Sequence, residues 1–339
     1  MKNTMSSHER TLSALACREI DRPALVCPTS IACKEVMKNK GIFFNDVYQD
    51  PEKRAELAAY SSEMAGFDTI QPYFSIHMEA MALGTPMRDG GKFRIPAVAN
   101  NIVKRAEDYM PPEDFLDRAP VQGVITAIKI LKKRYGHEKA IIGKAIGPWS
   151  LAYQIYGVPQ VLRDVVLNPS GLRDFIGRLS ELSLKMAIAQ IEAGADAITW
   201  ADHATPDTVS RKVYEEFLLP IHKVAARKLT PLSPIILHIC GNVEDRMDLV
   251  SQSGFTAFHI ESRNDLIDCQ RIARGNILLI GGVNNPKTLS SGSGENVQEE
   301  VKELMALGFS MIGPECGIHT GTPLSNLQKI SETVIGGPY

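Results

Sequence analysis

Short runs rich in Val, Ile and Phe alternate along this chain with longer stretches whose apolar residues recur every three or four positions. Brief apolar runs separated by amphipathic segments predict strands buried on both faces and joined by helices, the pattern of a parallel sheet built from βα units. Eight such runs stand out: PALVCP (23–28), FDTIQPYF (67–74), KAIIGKAIG (139–147), DAITWAD (196–202), PIILHIC (234–240), TAFHIE (256–261), NILLIGG (276–282) and FSMIGPE (309–315). Between them helical periodicity covers 51–65, 120–135, 170–193, 211–229, 243–253, 264–274 and 296–307. The clearest helix is GENVQEEVKELMALG (294–308), which ends in a glycine suited to a C-terminal cap.

Eight strands each followed by a helix describe a (β/α)8 TIM barrel. A doubly wound sheet would more usually show fewer strands and a Gly-rich phosphate turn behind the first, and CPTSIACKE (27–35) is no such turn. Residues 1–20 predict a helical preface. Segment 75–118 is too long for a plain βα connection and predicts a helix plus a short hairpin over the barrel mouth, the hairpin placed in KFRIPAVANNIV (92–103). SSGSGEN (290–296) predicts a flexible loop between the seventh strand and its helix, longer than stability requires and able to move near the site. With no internal repeat and no low-complexity tract, residues 1–339 are expected to form one domain.

Composition narrows the function. Hydrophobic residues make up 44% and charged residues 22%, so an extensive core is expected and disorder is not. The formal net charge is −2 with Lys and Arg dispersed, which argues against nucleic acid and membrane surfaces and for small molecules or a protein partner. No apolar run is long enough to span a bilayer, and MKNTMSSHER lacks the apolar stretch of a signal peptide, so the expected location is cytoplasmic. Six cysteines in 339 residues are too sparse for a disulfide framework. Cys17, Cys27, Cys33 and Cys269 are read as core or surface thiols.

In a TIM barrel chemistry gathers at the C-terminal strand ends. There the fourth strand delivers Asp202 and His203, the fifth His238 and Cys240, the sixth Glu261, and the eighth Glu315, Cys316 and His319. A lone buried cysteine is ordinarily an inert hydrophobe, and a lone strand-end histidine a hydrogen-bonded structural residue. One imidazole and two thiolates converging are another matter: they are ligands zinc prefers, at about 2.0–2.3 Å. His238, Cys240 and Cys316 are therefore the expected metal ligands, with Glu261 able to occupy a weakly held fourth position and yield it to a substrate thiol. The spacing between the two cysteines is far too long for a zinc finger or ribbon, so the barrel itself must supply the geometry. A sulfur-rich zinc site lowers the pKa of a bound thiol and suits alkyl transfer to sulfur better than hydrolysis. His77, Glu79, Asp202 and His203 are candidate cofactor contacts at the mouth, and His259 a candidate support for the ligands; satisfied polar groups at a barrel rim are the alternative. Lys144 and Arg263 are candidate anion contacts, with exposed or structural roles as their alternative.

These motifs carry a resemblance along nearly the whole chain. SSHERTLSALACREIDRPALV (6–26), HMEAMALG (77–84) and GPWSLA (147–152) resemble segments of the uroporphyrinogen decarboxylase superfamily. LHICGN (237–242) with PECGIHTGTPLSNL (314–327) resembles the His-x-Cys and distant Cys of its methylcobamide:coenzyme M methyltransferases. The resemblance implies zinc held by His238, Cys240 and Cys316, with Glu261 matching a displaceable fourth ligand. It implies that the thiolate of coenzyme M attacks the methyl group of a methylated corrinoid in line, giving methyl-coenzyme M and cob(I)alamin. The decarboxylases carry an Arg-rich motif after the first strand and an Asp after the second; CPTSIACKE and YFSIHME have neither, which disfavours tetrapyrrole decarboxylation. A corrinoid-binding Asp-x-His-x-x-Gly stretch is also missing, ADHATP (201–206) having the wrong order, so the corrinoid is expected on a separate partner protein docking over the mouth. Alternatives at this point are another thiol acceptor, a methoxy or methylthio donor, and a non-catalytic corrinoid-protein scaffold.

Overall fold

A computed structural model of the chain describes residues 4–336. Eight parallel strands form the barrel: β1 (Ala24–Leu25), β2 (Thr69–Ile70), β5 (Ala140–Ile146), β6 (Ala197–Ala201), β7 (Ile235–His238), β8 (Ala257–His259), β9 (Leu278–Val283) and β10 (Met311–Pro314). The antiparallel pair β3 (Met87–Arg88) and β4 (Ala97–Val98) stands apart. The order around the barrel is β1-β10-β9-β8-β7-β6-β5-β2. Asp68 closes the ring, its N–H donating to the Leu25 carbonyl and its carboxylate accepting from the Leu25 N–H, both at 2.7 Å. Seven of the eight expected strand runs contain one of these strands whole, and β9 overlaps NILLIGG (276–282) and runs on to Val283. β1 and β2 are far shorter than expected, because past them the chain bends away over the mouth to line the cavity described below.

The preface is the helix Ser7–Leu15, N-capped by the Ser6 side chain. It plugs the barrel floor: Ala14 and Leu15 join Ala24, Val26, Ile142, Ala197, Ile236, Ala257, Ile280 and Met311 in one buried cluster. Its polar side is tied by Arg10, which donates to Asp21 (2.6 and 2.9 Å) and Asp68 (2.9 Å), while Arg22 donates to Asp68 on both oxygens.

Several connections differ from expectation. Helix Pro148–Ile155 occupies GPWSLA, which its period did not disclose because seven of its residues are buried and no polar face exists. Helices Lys34–Lys40, Val158–Leu167 and Leu324–Gly336 were likewise not anticipated. Within 211–229 a π-helical turn at Tyr214–Leu218 precedes Pro220, where proline removes a donor and its ring forces the preceding turn to widen. The hairpin lies at 87–98, so only its second strand falls in KFRIPAVANNIV. SSGSGEN is not a long flexible loop: a π-helical turn fills Asn285–Leu289, and Ser293 caps the helix Gly294–Ala306 in a reciprocal pair with Asn296. Among the described residues no helix is long and apolar enough to cross a membrane.

Candidate functional site

β7 ends on His238, whose interior neighbours across the sheet are Ala201 and His259. Beyond buried Ile239 the chain turns through Gly241 at φ +90°, a left-handed conformation that favours glycine, and this turn presents Cys240 at the strand tip. Cys316 arrives from the end of β10. Its neighbour Glu315 is clamped by the Ser262 N–H (2.9 Å) and Oγ (2.6 Å) and by the Asn285 N–H (2.9 Å). Asn264 braces the loops from the other side, accepting from the Val243 N–H (2.7 Å) and donating to the Gly241 and Glu261 carbonyls (3.1 and 2.8 Å).

The three expected ligands come together. His238 Nε2 lies 3.3 Å from Cys240 Sγ and 3.4 Å from Cys316 Sγ, and the sulfurs are 3.6 Å apart. A tetrahedral ion with bonds of about 2.0–2.3 Å holds its ligand atoms about 3.5–3.8 Å apart, so the spacing and the donor set both fit zinc. Glu261 is buried close to Cys240 and the Gly241 backbone, without joining the three atoms that lie within mutual coordinating reach. Hydrogen bonding to Cys240 and the charge and hydrogen bond of His238 outweigh burial and hold the Cys316 thiol well below its ordinary pKa. Burial opposes protonation of His238, but the Cys316 thiolate overcomes it and holds that imidazole up. Cys240 is pushed far up, first by its hydrogen bond to Cys316 and then by burial. His259 packs against His238 with ring centroids 4.8 Å apart, donates from Nε2 to the Pro314 carbonyl (2.9 Å), and is driven down to about 3 by burial and by His238. It stays neutral and supports the ligand ring.

The cluster sits on the floor of a cavity of about 1080 Å³ that also takes in Asp202, His203, His77, His319 and Lys144. Asp202 is fixed by the Ser150 N–H (2.8 Å) and by His222 (3.2 Å), itself hydrogen-bonded to Tyr214 (3.1 Å); sequence reasoning did not single out His222, a helical residue with no motif around it. Glu79 does not line the cavity: fully buried, it accepts from the Tyr73 hydroxyl and the Ile146 N–H, a structural carboxylate rather than a mouth contact. Arg263 is exposed. Tyr153, Gln154, Lys92 and Arg94 line the cavity without having been anticipated, the last two because the hairpin folds over the opening.

The uroporphyrinogen decarboxylase (URO-D) family model matches residues 6–336. The chain belongs to this family. A methylcobamide:CoM methyltransferase, MtbA, of Methanosarcina acetivorans is 32% identical over 96% of both chains. A methylated-thiol–coenzyme M methyltransferase of Methanosarcina mazei is 27% identical, covering 97% of this chain and 89% of the relative. The solved structure of a methyltransferase from Methanosarcina mazei superposes with a TM-score of 0.93 at 27% identity, covering 98% of this chain and 99% of that one. In this family member the segment after β1 lines the cavity with Thr29, Ser30, Ala32 and Lys34, and that after β2 with Phe74, Ser75, Ile76 and His77. Neither segment contains an arginine or an aspartate.

Proposed function

We propose that this protein is a zinc-dependent methyltransferase that moves a methyl group from a methylated corrinoid, carried by a partner protein, to the thiol of coenzyme M, the chain working as one domain. The observation that carries this reading is the convergence of His238 Nε2, Cys240 Sγ and Cys316 Sγ at 3.3–3.6 Å on the cavity floor. It is supported by likeness to methylcobamide:CoM methyltransferases along nearly the whole chain. Zinc, when bound, supplies a positive charge that lowers a thiol's pKa from about 8.5 so that it is a thiolate at neutral pH. His238, Cys240 and Cys316 would hold the metal, and Glu261, buried beside Cys240, is the carboxylate that would supply a weak, displaceable further ligand. The cavity walls exclude water and hold the acceptor sulfur in line with the incoming methyl group, an orientation effect reaching about 7–11 kcal/mol in favourable systems. A sulfur–carbon bond forms as the cobalt–carbon bond breaks, and the cobalt keeps the electron pair as cob(I)alamin. Asp202, His203 and His77 line the approach and are the residues proposed to meet the corrinoid, whose carrier docks over the mouth.

The test is transfer from methylcob(III)alamin to coenzyme M by zinc-loaded protein, followed by the absorbance change on loss of the methyl–cobalt bond. Methyl-coenzyme M formed by the unmodified protein, with Cys316→Ala free of zinc and at least about 100-fold slower, is the expected result. One tightly bound zinc with no turnover would sink the coenzyme M assignment. A second reading, a methylated thiol as donor, is favoured by the methylated-thiol–coenzyme M relative and is tested by substituting dimethyl sulfide for the corrinoid.

A further inference from the structure

We propose that Lys144 is an anion anchor in the cavity, holding the acidic terminus of a short thiol whose sulfur lies at His238, Cys240 and Cys316. This rests on the thiol-acceptor reading above and adds which acceptors fit. In β5 the side chain of Ile142 belongs to the buried floor cluster, Lys144 stands one layer higher inside the barrel, and Ile146 lines the cavity one layer higher again. Lys144 is 3% exposed and borders the cavity. An ammonium so placed is costly unless something meets its charge.

The protein itself does not. Among the described residues no acceptor hydrogen-bonds Nζ and no carboxylate pairs with it; the ammonium lies over the face of Tyr73, 4.9 Å from the ring centroid. Glu79, the carboxylate among its charged neighbours, already has Oε1 taken by the Ile146 N–H and Oε2 by the Tyr73 hydroxyl. The lysine's other titratable neighbours are the thiols of Cys316, Cys27 and Cys240, which only partly offset the burial that lowers it. Zinc takes up the charge of the two thiolates, and the one negative charge that Glu261 or the acceptor sulfur adds to the centre is common to every thiol, so it sets no preference among them. A thiol with a sulfonate or carboxylate a few bonds from its sulfur supplies the missing partner, and a neutral thiol leaves Lys144 buried and unpaired. The basic groups at the mouth, Lys34, Lys92 and Arg94, line the same cavity and are the competing location for an anion.

The test compares unmodified protein with Lys144→Met and Lys144→Arg, zinc-loaded and with methylcob(III)alamin as donor. The readout is the ratio of kcat/KM for 2-mercaptoethanesulfonate to that for 2-mercaptoethanol. That ratio should fall at least tenfold in Lys144→Met, mostly through KM, and recover in part in Lys144→Arg; 3-mercaptopropionate in the same series separates a sulfonate from a carboxylate preference. Ethanesulfonate, which has no thiol, should raise the Tm of the unmodified protein and not that of Lys144→Met. An unchanged ratio in a folded, zinc-replete Lys144→Met, or a Tm shift that survives in it and is lost in Lys92→Met or Arg94→Met, would overturn the proposal. If the unmodified protein methylates no thiol, the functional reading fails, while the ethanesulfonate measurement still decides Lys144.

Discussion

Asn264 makes no hydrogen bond to His238, Cys240 or Cys316, yet its side chain ties the turn carrying Cys240 to the loop carrying Glu261 through three hydrogen bonds of 2.7–3.1 Å. Outer partners of this kind fix ligand orientation, and their loss typically costs about 10–100-fold in metal affinity. Asn264→Ala is therefore expected to weaken zinc binding by that factor in competition with a chelating dye, while circular dichroism stays native; unchanged affinity would show that packing alone aims Cys240. His238, Cys240 and Cys316 were legible in the sequence because cysteine and histidine at strand ends are chemically conspicuous. Asn264 and His222 were not, since each works through contacts that no local pattern encodes, and Glu79 misled because a carboxylate near the mouth looks identical whether it faces the cavity or the core.

At the level of elements, the plug helix and the barrel seam make two separate predictions. The hydrogen bond from Arg10 holds Asp21 below its ordinary pKa of 3.8, against the opposing effect of burial. Its folded-state pKa thus lies below the unfolded one, so the stabilisation is fully present above about pH 4 and is lost as the pH falls through the acid range. Asp21→Asn should cost about 1.5–3 kcal/mol at pH 7, with the difference from unmodified protein shrinking toward pH 3 in chemical denaturation. At the seam, a Cβ on Gly313 of β10 would run into the Val26 carbonyl oxygen. Gly313→Ala should destabilise by more than about 3 kcal/mol, among the larger single-residue effects, and a midpoint close to that of the unmodified protein would mean the seam can open to admit a methyl group. All eight barrel strands announced themselves as apolar runs because both their faces are buried. Helix Pro148–Ile155 stayed hidden for the same reason, since complete burial erases the period that marks a helix, and the hairpin register was missed because two-residue strands leave almost no alternation to read.

For the whole molecule, the three ligands sit on strand ends whose packing does not depend on them, unlike the ligands of a zinc finger, where the metal is the fold. Stripping zinc with a chelator should abolish methyl transfer yet leave the far-ultraviolet spectrum unchanged and the Tm within a few degrees; collapse of the secondary structure would instead assign the metal a structural role. The ring of strands has one further consequence, for the order of events during synthesis. β1 is synthesised long before one of its two neighbours, β10, which is formed from Met311 to Pro314. Until that late segment leaves the ribosome the sheet is an open ribbon, with the edges of β1 and β9 that pair with β10 both offering free backbone groups. Such edges recruit other chains, so a nascent chain stalled before residue 311 is expected to be prone to aggregation, and the barrel cannot close until β10 is available.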